Sequence, residues 1–182
     1  MQNLGTKRLE TDRLILRRFV EADAESVYKN WASDDEVTKY LAWETHKSAE
    51  DSARYVDFCL DGYKNADFYQ WAIELKETGE TGGNVSVVRI TEDGAAELGW
   101  VLGRALWGRG IVPEAAEEVM RFLFDEVGFS RIYAEHDIEN VKSGRVMQKI
   151  GMAYEGVLRE ARKNNRGVVD VAVYGLAKEN FR

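Results

Sequence analysis

Leu102-Gly103-Arg104-Ala105-Leu106-Trp107-Gly108-Arg109-Gly110-Ile111-Val112-Pro113-Glu114-Ala115 is the stretch whose reading decides the fold of this 182-residue chain. Upstream, residues 96–103 alternate as a strand. Downstream, Val112, Ala116, Val119, Met120, Leu123, Phe124 and Val127 recur on one face of a long helix, and Gly128 stands where a left-handed residue ends one. Gly103, Gly108 and Gly110 lie between them. Glycine lets a backbone come close to a ligand, and the free N–H groups at a helix start attract anions. A strand, a glycine loop and a helix in this order fit a diphosphate cradle; glycines that only shape a strand-to-helix turn explain the loop equally well. It is not a P-loop, since no Gly-Lys-Ser/Thr closes it, and Pro113 occupies the third glycine of a dinucleotide fingerprint.

Working outward, residues 13–19 read as a first strand, and 23–31 as a helix on the spacing of Ala24, Val27, Tyr28 and Trp31. Residues 38–47 are irregular. Ser48 with Asp51 three residues on reads as a capped helix start, followed by the stripe Ala53, Val56, Cys59 and Leu60. Strands follow at 69–76 and 84–91 around a turn at 78–83. Asp93-Gly94 marks a hairpin with both turn residues expected at positive φ. Beyond Gly128, a strand at 131–136, a helix at 141–150 and two strands, 154–162 and 168–176, around the loop 163–167 complete the chain. The sum is one mixed α/β domain over residues 1–182, with an antiparallel first half, a β–α–β unit and a closing hairpin.

The charges, 25 Lys and Arg against 32 Asp and Glu, leave a net −7, which repels phosphate backbones and argues against nucleic acid as the ligand. One cysteine, Cys59, excludes an internal disulfide framework and suits a reducing compartment. The apolar runs are too short for a membrane span, and residues 1–18 are charged throughout, unlike a signal peptide, so a cytoplasmic location is expected. No cluster has metal-ligand spacing. His46 and His136, the only histidines, read as structural or exposed.

A second informative segment is Asn140-Val-Lys-Ser-Gly-Arg-Val-Met-Gln-Lys-Ile-Gly151, directly after a strand. Asn140 and Ser143 at the mouth of a short helix read either as a cap or as ligand contacts, with Lys142 and Arg145 available to phosphate. Here the sequence resembles a family. Trp107-Gly108-Arg109-Gly110 with Glu114-Ala115 resembles the acetyl-CoA signature of the GNAT N-acetyltransferases, and Asn140, Ser143 and 145–151 resemble that family's next motif. Residues 9–17, and Asp170 through Tyr174-Gly-Leu, are similar to the branch holding the ribosomal-protein N-terminal acetyltransferases. The sequence departs from the family's pattern at Ala105, where Gln or Arg is frequent, and at Met147, where many members carry a tyrosine.

The resemblance implies a GNAT fold, a mixed and mostly antiparallel sheet of about seven strands flanked by about four helices. It implies transfer of an acetyl group from acetyl-CoA to a primary amine, with the protein a monomer or homodimer. Leu102, Arg104, Trp107, Gly108, Arg109, Gly110, Ile111, Val112, Asn140, Lys142, Ser143 and Arg145 are the expected cofactor contacts, and Trp31, Tyr40 and Trp43 the expected acceptor wall. A lysine-like amine has an ordinary pKa of about 10.4, so a group must accept its proton. Glu97 is the candidate base, ordered water and an exposed strand glutamate being the alternatives. The N–H of Val101 is the candidate oxyanion donor, and Ser143 the candidate partner of the leaving sulfur. A protein α-amine is the favoured acceptor; a polyamine or aminoglycoside acetyltransferase, and a non-catalytic acyl-CoA sensor, are the competing readings.

Overall fold

The computed structural model describes residues 2–182. The strands are β1 (Leu9–Glu10), β2 (Leu14–Arg17), β3 (Gln70–Leu75), β4 (Thr81–Ile90), β5 (Ala95–Leu102), β6 (Arg131–Asp137), β7 (Ala153–Asn164) and β8 (Gly167–Ala177). The helices are α1 (Asp23–Val27), extended by a wide turn over Tyr28–Ala32, α2 (Asp35–Thr38), α3 (Ala49–Gly62), α4 (Ile111–Phe122), extended by a wide turn over Leu123–Val127, and α5 (Val141–Lys149). All eight strands form one sheet in the order β1-β2-β3-β4-β5-β6-β8-β7, antiparallel throughout except for β5 beside β6. The architecture is the expected one. The added elements are two short ones, the two-residue β1 and the four-residue α2.

α4 and α5 cover one face of the sheet. Ala115, Val119 and Phe122 of α4 and Met147 of α5 pack there against Trp71, Val85, Leu98, Ile132 and Ala134 from the strands. Each such apolar side chain, taken out of water, contributes roughly 1.5–3 kcal/mol. α1 and α3 cover the other face over β3, β4 and β5, where Val27, Trp31, Val56 and Cys59 meet Ala72 and Val101 and the Asn84 amide of β4 donates to the Tyr55 hydroxyl (2.6 Å). The α3 start is built as read: the Asp51 carboxylate accepts the N–H groups of Lys47 (2.7 Å) and Ser48 (3.0 Å). At the end of the wide turn after α4, Gly128 is left-handed, at φ +91°.

Three local readings are corrected. The turn expected at 78–83 ends earlier, and Gly82 and Gly83 lie inside β4. A Cβ on Gly83 would stand 2.3 Å from the Val101 carbonyl oxygen, so this strand crossing tolerates only glycine. In the β4–β5 turn only Gly94 has positive φ (+78°), and Thr91 pairs with Ala95, giving a three-residue loop rather than a two-residue one. The closing hairpin is longer than expected, with Asn164 opposite Gly167 across a tight turn of Asn165 and Arg166.

The feature that positions the site is the brevity of the one parallel pairing. β5 and β6 are in register only through Ala95–Arg131, Ala96–Ile132 and Glu97–Tyr133. Beyond these, β5 continues along β4 while β6 continues along β8, so the sheet opens into a wedge. No helix among the described residues is long and apolar enough to cross a membrane.

Candidate active site

The wedge leads into a cleft of about 590 Å³. One wall is the decisive stretch of the sequence. After Leu102 the chain makes a short turn over Arg104–Leu106, and Gly108 (φ +76°) and Gly110 (φ +74°) then take left-handed conformations that bring it directly into α4. Pro113 carries no N–H and sits in the first helical turn, where none is needed. Glu114 makes the first helical bond, to the Gly110 carbonyl (3.3 Å). The amides of Ile111 and Val112 therefore have no intrahelical acceptor, and the positive end of the α4 dipole lies on the cleft.

This loop is anchored from a distance. The Glu114 carboxylate accepts the Thr11 hydroxyl, the Arg13 N–H (3.2 Å) and Arg13 Nε (2.7 Å), and Arg13 also donates to the Arg109 carbonyl (2.9 Å). Burial alone would push the Glu114 carboxyl up, but the Thr11 and Arg13 hydrogen bonds hold it below its ordinary value. The carboxylate is thus charged at neutral pH and ties the glycine loop to the β1–β2 turn.

The opposite wall is the start of α5. Asn140 caps it, its side chain accepting the Ser143 N–H (3.4 Å), and Asn140, Lys142, Ser143, Arg145 and Lys149 line the cleft. Lys142 Nζ lies 3.7 Å from the centre of the Trp107 ring, a cation–π contact across the two walls. The third wall is α2 and the chain after it, with Glu36, Val37, Lys39, Tyr40 and Leu41. The floor is Trp100, Val101 and Leu102 of β5.

Comparison with known proteins agrees with this fold. The family model described as "Acetyltransferase (GNAT) domain" matches residues 13–153. The chain belongs to the GNAT acetyltransferase family. It is 33% identical over 171 residues to the uncharacterized N-acetyltransferase YoaA of Bacillus subtilis (strain 168), covering 93% of this chain and 96% of YoaA. Its fold matches that of a GNAT-family acetyltransferase from Bacillus anthracis with a TM-score of 0.83 at 27% identity, over 95% of this chain and 99% of that one. It also matches the fold of RimL, the ribosomal L7/L12 α-N-protein acetyltransferase solved in complex with coenzyme A, with a TM-score of 0.83 at 19% identity, over 94% and 98% of the two chains.

Within this GNAT acetyltransferase the expected cofactor contacts converge on the cleft, with two departures: Arg104 pairs with Asp34 (2.9 Å), and Arg109 reaches Glu77 (3.5 Å). Of the expected acceptor wall, Tyr40 lines the cleft. Trp31 does not; it is 1% exposed and belongs to the core beneath α1, as helical spacing on a buried face dictates. Trp43 packs against the same core and against the His46 ring. His46 Nδ1 is 2.8 Å from the Ser52 hydroxyl, and His136 lies under Gly144 of α5, both structural places.

The structure does not bring Glu97 to the cleft. Its Oε2 is held by Arg89 (Nε 3.0 Å, the terminal nitrogen 2.5 Å) and by the Tyr133 hydroxyl (3.2 Å), an ion pair and hydrogen bond that join β4, β5 and β6. On the same face Glu135 is raised above its ordinary value by burial and then by the Glu97 charge, with Arg162 as its partner. The Val101 N–H is also misplaced by the sequence reading. The Val101 carbonyl points at Gly83, and the Gly103 N–H bonds Gly82 O (2.9 Å), so the main chain at 101 and 103 faces β4. By strand alternation the amides of Trp100 and Leu102 face the wedge, in agreement with the Trp107 Nε1 bond to Leu102 O (2.8 Å).

The wall missed in the sequence is α2. Its signal was present: Asp34 caps the helix by accepting the Glu36 N–H (3.0 Å), within the run Ser33-Asp34-Asp35-Glu36.

Proposed function

We propose that this acetyltransferase uses acetyl-CoA to acetylate a primary amine, a protein α-amine being the favoured acceptor on the likeness to the ribosomal-protein branch. The observation that carries the reading is the wedge between β5 and β6, with the Gly108–Val112 amides at one side and Asn140 and Ser143 at the other. The donor set fits a CoA diphosphate: a helix N-terminus, two left-handed glycines without side chains, and Lys142, Arg145 and Lys149 within reach of phosphate charge. Bound there, the coenzyme supplies an activated acetyl thioester.

The residues of this chain then have separable tasks. The N–H groups of Trp100 and Leu102, in place of that of Val101, stabilise negative charge on the thioester oxygen as the amine nitrogen bonds to the carbonyl carbon. The Ser143 hydroxyl donates to the sulfur as the C–S bond breaks, because a serine is too weak an acid to release its proton outright. With Glu97 committed to Arg89 and Tyr133, water takes the ammonium proton. Ser143→Ala should lower kcat roughly tenfold and leave the KM for acetyl-CoA nearly unchanged; an unchanged kcat would remove the hydroxyl from the reaction.

The direct test is binding and turnover. Acetyl-CoA at a hundred times its Kd should stabilise the protein by about 2.7 kcal/mol, a rise in Tm of roughly 5–10 °C for a domain this size. CoA release should then depend on an added amine, screened with Ser- and Ala-initiated tetrapeptides, spermidine and kanamycin. Tight binding with no release on any amine would favour the sensor reading, and no thermal shift would exclude the cradle.

A further inference from the structure

We infer that the tip of the β7–β8 hairpin is a clamp that positions the acceptor, and that Asn165 is its positioning residue; the inference rests on the acetyl-transfer reading above. Asn165 does not line the cleft. It sits behind the α2 wall and holds three main-chain carbonyls of the segment that forms it. Its side-chain amide donates to Thr38 O (2.9 Å) and Trp43 O (2.8 Å), and its main-chain N–H donates to Leu41 O (3.1 Å). Tyr40 and Leu41, which do line the cleft, lie between those anchor points. The segment also packs Val37, Leu41 and Trp43 against the α1–α3 core and bonds Thr45 to Thr38 (2.6 Å) and Asp35 (2.5 Å). But α2 is one turn long and a single turn is not stable on its own, so the path of its main chain depends on the carbonyls that Asn165 holds.

The residues on either side of Asn165 bind the other end of the same wedge. Asn164 donates to Asp137 Oδ2 (2.9 Å), and Arg166 donates to both Asp137 oxygens (2.9 and 2.8 Å) and pairs with Glu139. The Arg166 guanidinium also lies 5.8 Å from the centre of the Tyr40 ring, and the Tyr40 hydroxyl donates to Glu139 O (3.4 Å). Asp137 ends β6, and α5 starts at Val141, capped by Asn140 three residues after Asp137. Three consecutive residues at a hairpin tip thus set the distance between the α2 wall and the α5 wall. That distance governs where an amine stands relative to the thioester. The coenzyme cradle at α4 is held separately, by Glu114 and Arg13. Loosening Asn165 alone, with Asn164 and Arg166 still holding the start of α5, is therefore expected to affect the acceptor and spare the coenzyme.

Asn165→Asp keeps the shape of the side chain and turns two N–H donors into carboxylate oxygens facing two carbonyls. The measurement is steady-state CoA release with whichever tetrapeptide, spermidine or kanamycin the unaltered protein acetylates fastest, together with CoA binding by calorimetry. The expected result is a rise in acceptor KM of roughly tenfold, with kcat within about twofold and the Kd for CoA unchanged. Asn165→Gly, which keeps the main-chain bond to Leu41, should raise acceptor KM in the same way, and Asn165→Gln, which keeps the amide, should restore part of the loss. An unchanged acceptor KM in both disruptive variants overturns the inference. So does a parallel loss of CoA affinity, which would make the tip a general structural support. No turnover by the unaltered protein defeats the acetyl-transfer reading itself, and the clamp with it.

Discussion

Gly108→Asp should weaken acetyl-CoA binding roughly a hundredfold while shifting the melting temperature little. Gly108 has φ +76°, a conformation that Asp and Asn tolerate better than other side chains, and a Cβ built there meets nothing within 4 Å. The fold thus accepts the change. The ligand does not, because the new carboxylate stands at the mouth of the amide cradle proposed for the diphosphate, and two like charges at about 4 Å repel strongly even at an intermediate dielectric. Gly108→Asn supplies the control, with the same shape and backbone cost but no charge. Calorimetry on both should separate them by most of that hundredfold. Equal affinities would mean that the diphosphate lies elsewhere.

Asp23→Ala should have the largest effect on stability, about 3 kcal/mol, because it leaves the Arg17 guanidinium with Glu74 alone and strands the Thr81 hydroxyl and the Val20 N–H. Asp23 is 7% exposed in its side chain and Arg17 19%. The carboxylate accepts two bonds from Arg17 (2.7 and 2.8 Å), one from the Thr81 hydroxyl (2.7 Å) and one from the Val20 N–H (2.8 Å). One side chain therefore joins β2, the start of α1 and the start of β4. Burial pushes the Asp23 carboxyl up, but the bonds from Arg17, Val20 and Thr81 outweigh it and the pKa falls below 3.8. A depressed carboxylate stabilises the fold above its unfolded pKa and loses that contribution as pH falls through the folded one. The gap in Tm between the unaltered protein and Asp23→Asn should accordingly be full near neutrality and close below about pH 3.8. A gap that is constant down to pH 2 would refute the electrostatic origin.

What could be read in the sequence was local. The α4 stripe, the Gly128 cap and the Asp51 box depend on neighbours a few residues away, and all appear where their spacing puts them. What could not be read depends on partners far along the chain. Glu114 looks like an ordinary first-turn acid until Thr11 and Arg13, more than a hundred residues earlier, arrive beside it. Glu97 looks available until Arg89, offset by the bulge in β4, closes on it. The direction of the Val101 amide is likewise set by which edge of β5 is paired, and strand alternation gives the period but not the edge. Trp31 shows the same limit for aromatics, since helical spacing marks a buried face without saying whether a cleft or a core lies beyond it.

The stacking of Lys142 on Trp107 has a consequence for how the cleft fills. The ammonium and the indole belong to opposite walls, so a molecule inserted between them must first part the two. Its measured affinity is then a difference, new contacts minus the one broken, and the freed ammonium becomes available to an incoming negative group. The indole, relieved of a cation at van der Waals distance, changes its surroundings in the same step, so the chain carries its own optical reporter of entry into the site.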